Sequence, residues 1–444
     1  MKDENHATNG PRILLLATCD TKLEEITFIH HRLTSISSYI DPILMDIGRS
    51  AVTDSIISIP QPKILSAHTS KVDADLTSLP RDEYSTLMTN AATLFTRQLQ
   101  TESPLHGVLG IGGSTGSSII ASIMRDAIPI GLPKLLVSTM ASGDVGPLVG
   151  GVDLTLTYSV TDIAGLTFLS ERILGNAAAA MAGMAGAYLE AEGGHHVKDT
   201  KERKKRVAVT MFGVTTPGVD AIRSILSQPP HSAEVVVFHA TGSGGRAMEA
   251  LIQQGEFDAI IDLTTTEIAD EVGGGILSAG PDRLLAGAQA GIPMIVSVGA
   301  CDMVNFGPKE TMKAGHLDAV DKGERKLYVH NPMVTLLRTT KEENRRIAEF
   351  IVGKLRTARR KDLIKVVIPT GAVSMISGTG GPFEDREADE ELFKGLENGL
   401  EGAGIEVVRF DGLGVNDNEF AKRVIEALVE VQGAHSKEQY TKLS

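Results

Sequence analysis

The chain has 444 residues, 42% of them hydrophobic, 4% aromatic and none Trp, so it is long enough for two domains and must build their cores from aliphatic side chains. A formal net charge of −13 excludes an extended nucleic-acid-binding face, which needs clustered Lys and Arg to neutralise phosphates. With only Cys19 and Cys301, far apart, the composition excludes a disulfide framework and a zinc cluster, and no apolar run approaches the roughly 18 residues of a membrane helix.

Residues 1–11 are polar and read as a flexible tail, and the chain reads as a soluble, cytoplasmic protein without membrane or nucleic-acid partners. The first half then predicts strands at Arg12 to Ala17, Pro42 to Asp46, Gly107 to Ile111, Lys134 to Ser138 and Asp153 to Tyr158. Helices are expected at Lys22 to Leu33, Tyr84 to Gln100, Gly116 to Arg125 and the Ala-rich Gly175 to Glu190. A glycine-containing, charged stretch from Glu192 to Arg206 lacks periodicity and marks the domain boundary, giving subdomains at 12–198 and 206–444 with a basic linker at 199–205. His195 and His196 fall in that stretch and read as linker residues.

The second half restarts with strands at Arg206 to Met211, Glu234 to Phe238, Asp258 to Leu263, Pro293 to Val298, Ile364 to Pro369 and Ile405 to Phe410. Helices are expected at Glu342 to Leu355, Asp389 to Gly399 and Asn418 to Glu430. Strands such as ILLLA and AIIDL are apolar throughout, as strands covered on both faces must be. Alternating with helices, they define an α/β fold with doubly wound, mainly parallel sheets.

Ligands of open parallel sheets collect beyond the carboxyl ends of the strands. In the first half these positions hold Thr18, Asp20, Thr21 and Lys22, the loop Gly112-Gly113-Ser114-Thr115-Gly116-Ser117, and Ser138, Thr139 and Ser142. Backbone N–H groups at a helix start and the hydroxyls can hold phosphate oxygens, Lys22 can neutralise them, and Asp20 is a candidate Mg²⁺ ligand. No Walker A string GxxxxGK[ST] is present.

A second glycine loop, Gly242-Ser243-Gly244-Gly245-Arg246-Ala247, satisfies GxGxxA, and Asp262 closes the next strand twenty positions after its first glycine. That spacing is compatible with a dinucleotide site in which the acid bonds a ribose, so an NAD-dependent enzyme is one reading. Thr264-Thr265-Thr266-Glu267 can simply cap a helix start. Alternatively Arg246, Glu267, Asp302 and His330 would share one crevice and act as a catalytic set on a small acidic or phosphorylated metabolite. Cys19 and Cys301 read as small buried residues.

The strings TCDTK, GIGGSTGSS, STMASG, TMFGVTTPGVD, VFHATGSGGRAMEALI, LTTTEIAD and SVGACDMVNFGP together resemble the ATP-binding family typified by the N-terminal inhibitory region of the tomato mosaic virus resistance protein. The similarity runs from Arg12 to the final helices. It implies two Rossmann-like subdomains, a homodimer, and ATP with Mg²⁺ bound chiefly by the N-terminal subdomain. Carried over by position, Lys22, Gly112, Gly113, Ser114 and Thr115 are the nucleotide contacts, with Ser138, Thr139 and Ser142 as further candidates. Longer family members continue into a TIM barrel, which these 444 residues are not expected to contain. The resemblance leaves open an enzyme using a phosphorylated compound and a binding protein in which ATP sets the arrangement of the subdomains.

Overall fold

A computed structural model describes residues 10–68, 76–198 and 203–441. The chain divides between Glu202 and Arg203 into two compact units.

In the first unit the strands are β1 (Arg12–Ala17), β2 (Asp41–Asp46), β3 (Ile57–Ile59), β4 (Gly107–Gly112), β5 (Lys134–Ser138) and β6 (Leu154–Tyr158). The helices are α1 (Cys19–Ile36), α2 (Gln61–His68), α3 (Arg81–Glu102), α4 (Ser114–Ala127), α5 (Gly146–Val149) and α6 (Phe168–Lys198). All six strands pair in parallel in the order β3-β2-β1-β4-β5-β6. The unbroken apolar character of β1 follows from its two covered faces. Ile13, Leu15 and Ala17 pack with α1 and α6 residues such as Ile26, Leu33 and Ala178, whereas Leu14 and Leu16 pack with α3 and α4 residues such as Met88 and Ile120. Chain order reverses between β1 and β4, so the loops after these two strands diverge and leave a crevice at their carboxyl ends.

The second unit contains β7 (Arg206–Met211), α7 (Thr216–Ser227), β8 (Glu234–His239), α8 (Ser243–Gln253), β9 (Ala259–Thr264), α9 (Thr266–Gly273), α10 (Leu285–Ala290) and β10 (Met294–Gly299). It continues through β11 (Met303–Phe306), α11 (Ala314–Asp321), β12 (Leu327–Asn331), β13 (Val334–Arg338), α12 (Lys341–Arg356), β14 (Ile364–Pro369), α13 (Arg386–Leu400), β15 (Glu406–Phe410) and α14 (Asn418–Thr441). Its parallel sheet has the order β15-β14-β10-β9-β7-β8. The first three strands of the unit therefore lie as 2-1-3, the flavodoxin-like arrangement, unlike the 3-2-1-4 start of the first unit. Residues of α7 and α14 cover one face, and residues of α8, α9, α10, α12 and α13 cover the other.

Two features depart from the sequence reading. A three-stranded antiparallel sheet, β11-β13-β12, interrupts the βα alternation. The boundary falls inside the expected stretch, between Glu202 and Arg203, but the stretch does not begin as a loop, because α6 continues through His195 and His196 to Lys198. Two adjacent glycines cost a helix only about 1 kcal/mol each, too little to end one on their own. Of the expected linker, 199–202 lie outside the described residues, while Arg203 pairs with Asp258 of the second unit at 2.9 Å.

Leu15 is fully buried in the layer between the first sheet and α1 and α6. Replacing it with Ala is expected to cost about 2–5 kcal/mol. Denaturant unfolding checks this, and a loss below about 1 kcal/mol would contradict the double coverage of β1.

Candidate functional site

At the crevice between β1 and β4 lies a cleft of about 510 Å³ lined by residues from four strand ends and the start of α3. Thr18, Asp20, Thr21 and Lys22 come from the turn after β1, Arg49 from the loop after β2, and Gly113 to Gly116 from the start of α4. Arg81, Tyr84 and Asp162 complete the wall. Thr18 and Thr21 join through their hydroxyls at 2.9 Å, and α1 carries a non-helical residue at Lys22, with φ −135° and ψ 21°. The N–H groups of Thr21 and Lys22 both donate to the Thr18 carbonyl, so Thr18 to Lys22 form a tight turn before the helix proper.

The glycines of the first loop have different tasks. A Cβ on Gly112 would lie 2.5 Å from the Ser117 backbone nitrogen, so that glycine permits the turn. A Cβ on Gly113 would meet nothing within 4 Å, so that side of the residue borders open space. Helix α4 begins without a side-chain cap or an acidic residue in its first turn. Its leading N–H groups have no acceptor within the helix. Ser138 is fully buried, lies 2.6 Å from the Ser117 hydroxyl and accepts from the Met140 N–H, so it braces the loop from below. The Thr139 N–H donates to the Gly112 carbonyl at 3.3 Å. Ser142 is exposed in the loop after β5, and neither it nor Thr139 is among the residues lining the cleft.

Asp20, read from sequence as a metal ligand, is engaged otherwise: its Oδ2 accepts the N–H groups of Arg49 and Ser50 at 2.9 and 3.0 Å. Among the described residues no group of three His, Cys, Asp or Glu side chains could hold a metal ion. Arg49 and Arg81 escaped the sequence reading. Arg49 was accessible to the strand-end rule, since it lies three residues beyond β2. Arg81 had no comparable signal, because only the tertiary path brings the start of α3 to the cleft.

The second glycine loop is filled by the protein itself. Glu267 is fully buried, and its Oε1 accepts the N–H groups of Gly242 at 2.6 Å and Gly245 at 3.0 Å. A Cβ on Gly245 would stand 2.1 Å from Glu267 Oε2 and one on Gly244 1.9 Å from the His239 carbonyl oxygen, while Gly242 has φ +82°. The glycines thus admit a carboxylate of their own chain where a pyrophosphate would otherwise sit. Arg283, also fully buried, donates to Glu267 at 2.7 Å, to both oxygens of Asp262 at 2.6 and 2.7 Å, and to Glu249 at 3.2 Å. Burial pushes the Glu249 carboxyl up against the pull of Arg283.

These contacts correct the dinucleotide reading: Asp262 is held between Arg283 and the Thr210 hydroxyl and has no exposed surface for a ribose. The four-residue crevice is likewise not assembled. Arg246 is exposed and donates to the Ser278 carbonyl at 2.9 Å, whereas buried Asp302 accepts from the Ser374 hydroxyl at 2.7 Å. His330 stands exposed on β12, with Tyr328 as its ring neighbour. Among the described residues no hydrogen bond, ion pair or ring contact joins any two of the four. The sequence reading missed Arg283 because nothing local announces it: its partners lie 16, 21 and 34 positions away. The three threonines before Glu267 are fully buried and serve the interior; Thr264 meets Thr215, and Thr265 donates to the Ser297 carbonyl. Cys19 and Cys301 are buried as expected, and burial raises both thiols, Cys301 to about 12. A cleft of about 520 Å³ beside Thr370 and Gly371 mixes Glu387, Asp389, Glu390 and Glu391 with Lys341, Arg386 and Lys394, and the α13 start there is capped by Asp385.

Fold and site together define a two-unit, doubly wound α/β protein with one helix start open to a cleft that carries Lys22, Arg49 and Arg81 and another closed by an internal carboxylate. The chain belongs to the uncharacterised protein family UPF0261, whose N-terminal domain matches residues 11–190 and C-terminal domain residues 204–432. It is 38% identical to a UPF0261 protein of Clostridium tetani, over 95% of this chain and 98% of the relative. A UPF0261 protein of Mesorhizobium japonicum is 40% identical over 93% of this chain and 97% of its own length. The ToMV resistance protein Tm-1(GCR237) of Solanum lycopersicum is 37% identical over 96% of this chain, which spans 56% of the tomato protein. No described helix is long and apolar enough to cross a membrane.

Replacing Arg283 with Met would leave Asp262 and Glu267 buried without their cation. The expected loss is about 3–5 kcal/mol, seen by calorimetry as a fall of roughly 10 °C in the melting of the second unit; an unchanged transition would refute the central role of Arg283. Asp270 gives a pH test. Burial pushes its carboxyl from 3.8 up to about 7, although the Asn305 backbone N–H and side-chain amide and the Leu277 N–H all donate to it. A raised acid stabilises the fold fully below its unfolded pKa, and that contribution is lost as pH rises through the folded one. Wild type should therefore lose a component of stability between about pH 4 and 7 that Asp270→Asn lacks. Equal pH slopes of melting temperature in the two proteins would rule this out.

Proposed function

We propose that the first unit binds a nucleotide through its phosphates, with ATP as the ligand and Mg²⁺ accompanying the phosphate chain. The observation that carries this reading is the uncapped start of α4 on a cleft that holds cations; α1, α3 and α7 also start without a side-chain cap, but three helices of the second unit are closed by a side chain. Helix α8 receives Glu267, α12 has its own capping box of Thr340 and Glu343, and α13 has Asp385. Helix α4 has no side-chain cap and opens on a cleft that also holds Lys22, Arg49 and Arg81. Unpaired N–H groups and the positive end of the helix dipole favour an anion there, and the neighbouring cations raise its local concentration.

In this reading the N–H groups of Ser114, Thr115 and Gly116 hold phosphate oxygens, the Ser114 and Thr115 hydroxyls add donors, and Lys22 supplies the charge. Gly113 keeps the approach open, while Gly112 and Ser138 hold the loop in shape. Because Asp20 is already an acceptor for two backbone N–H groups, Mg²⁺ would be carried by the phosphates. A homodimer, implied by the resemblance, belongs to the same proposal and is read by sedimentation. The ToMV resistance of the tomato relative is a property of that protein and is not part of this reading.

Calorimetric titration of the full chain with ATP and Mg²⁺, and with NAD as the comparison ligand, tests the proposal. Wild type should bind ATP and not NAD. Lys22→Ala should weaken ATP by about 10- to 100-fold, the equivalent of one charge-assisted hydrogen bond. Gly113→Asp, which places a carboxylate in open space at the helix start, should abolish binding while the melting temperature stays near wild type. Absence of ATP binding to folded wild type would overturn the proposal.

A further inference from the structure

Arg81 opens α3 and lines the same cleft as Lys22 and the start of α4. It is exposed, and among the described residues its guanidinium enters no hydrogen bond or ion pair. Lys22 is likewise without an ion pair among them. The cleft thus holds two cations without a direct ion pair among the described residues, beside the carboxylates of Asp20 and Asp162.

The segment bearing Arg81 is held on both sides. Asp20 accepts the backbone N–H groups of Arg49 and Ser50, which fixes the loop after β2. From that loop the Arg49 guanidinium donates to the carbonyls of Leu76 and Thr77, each at 2.8 Å, and to that of Leu79. It also stands 5.8 Å from the ring centroid of Tyr84. Tyr84 is buried; its hydroxyl donates to the Ile47 carbonyl at 2.6 Å, and its N–H donates to the Pro80 carbonyl at 3.0 Å. Residues 76–79 before Arg81 and Tyr84 after it are therefore tied to the same β2 loop. Arg49 spends its donors on neutral carbonyls, so its part here is to hold this segment.

Resting on the nucleotide reading above, we infer that Arg81 is a specificity-determining residue that binds the terminal phosphates and makes the cleft select a nucleoside triphosphate over a monophosphate. A single phosphate is satisfied by the α4 start and Lys22. The planar fork of Arg81 then has a partner only when the ligand carries further phosphoryl oxygens. Asp20, Arg49 and Tyr84 are positioning residues: they hold the α3 start where Arg81 meets the ligand.

The test is calorimetric titration of the full chain with ATP, ADP and AMP, each with and without Mg²⁺, for wild type, Arg81→Ala, Arg49→Ala and the double variant. Wild type should bind ATP more tightly than AMP. Arg81→Ala should lose about 10- to 100-fold in ATP affinity and little in AMP affinity, so that the preference collapses. Arg49→Ala should lose more ATP affinity than AMP affinity, and the double variant should lose less than the sum of the two single losses, because both changes remove the Arg81 contact. Arg81 is exposed, so Arg81→Ala stays informative if Arg49→Ala unfolds. A wild type that binds ATP, with Arg81→Ala weakening ATP and AMP by equal factors or neither, would overturn this inference and leave the nucleotide reading standing. Failure of wild type to bind any of the three nucleotides would overturn the nucleotide reading itself.

Discussion

The first turn of an α-helix presents N–H groups that no residue of the same helix can satisfy, and at the carboxyl end of a parallel sheet those groups face the place where ligands collect. In the second unit Glu267 meets the demand at α8, held in place by the buried Arg283. In the first unit α4 has no such partner from a side chain. Two loops of nearly identical composition therefore have opposite chemistry: one cradles a carboxylate of its own chain, and the other opens on a cleft bordered by cations.

The internal carboxylate carries a structural cost. Four buried or nearly buried charges, Arg283 with Asp262, Glu267 and Glu249, occupy the layer beneath the second glycine loop, one cation against three acids. Charges taken out of water are tolerated only when they are paired and their remaining hydrogen-bonding capacity is used. Here Glu249 accepts the N–H groups of Leu284 and Ala286, Asp262 accepts from Thr210, and Glu267 accepts from Gly242 and Gly245. The network locks α8, α9 and the segment before α10 to the end of β9. This is the work of a scaffold, and it removes from solvent two of the acids that spacing alone had suggested for chemistry.

Much of the architecture was legible because its physical cause is local. Strands covered on both faces have no polar alternation, and each of β1, β5, β7 and β14 has the bounds expected from its apolar run. The small antiparallel sheet was not legible, since β12 is largely exposed and offers little periodic signal. At the first loop the neighbourhood of Lys22 and Gly113 to Gly116 followed from the strand-end rule, and the structure places these residues on one cleft. Ser138 followed from the same rule but is buried, because position after a strand does not reveal whether a hydroxyl faces outward or braces the turn below.

By itself the sequence determined the class of fold, the number of units and the positions of both glycine loops, since each depends on periodicity or on residues a few positions apart. Only the tertiary structure decided what each loop receives. Glu267 follows Gly242 by 25 positions, Arg283 lies 21 beyond Asp262, and Arg81 belongs to a helix that starts outside the strand-end loops. Whether a carboxylate is a reactive group or the buried partner of an arginine depends on burial and on the charges that long-range packing brings beside it, and no local spacing encodes either.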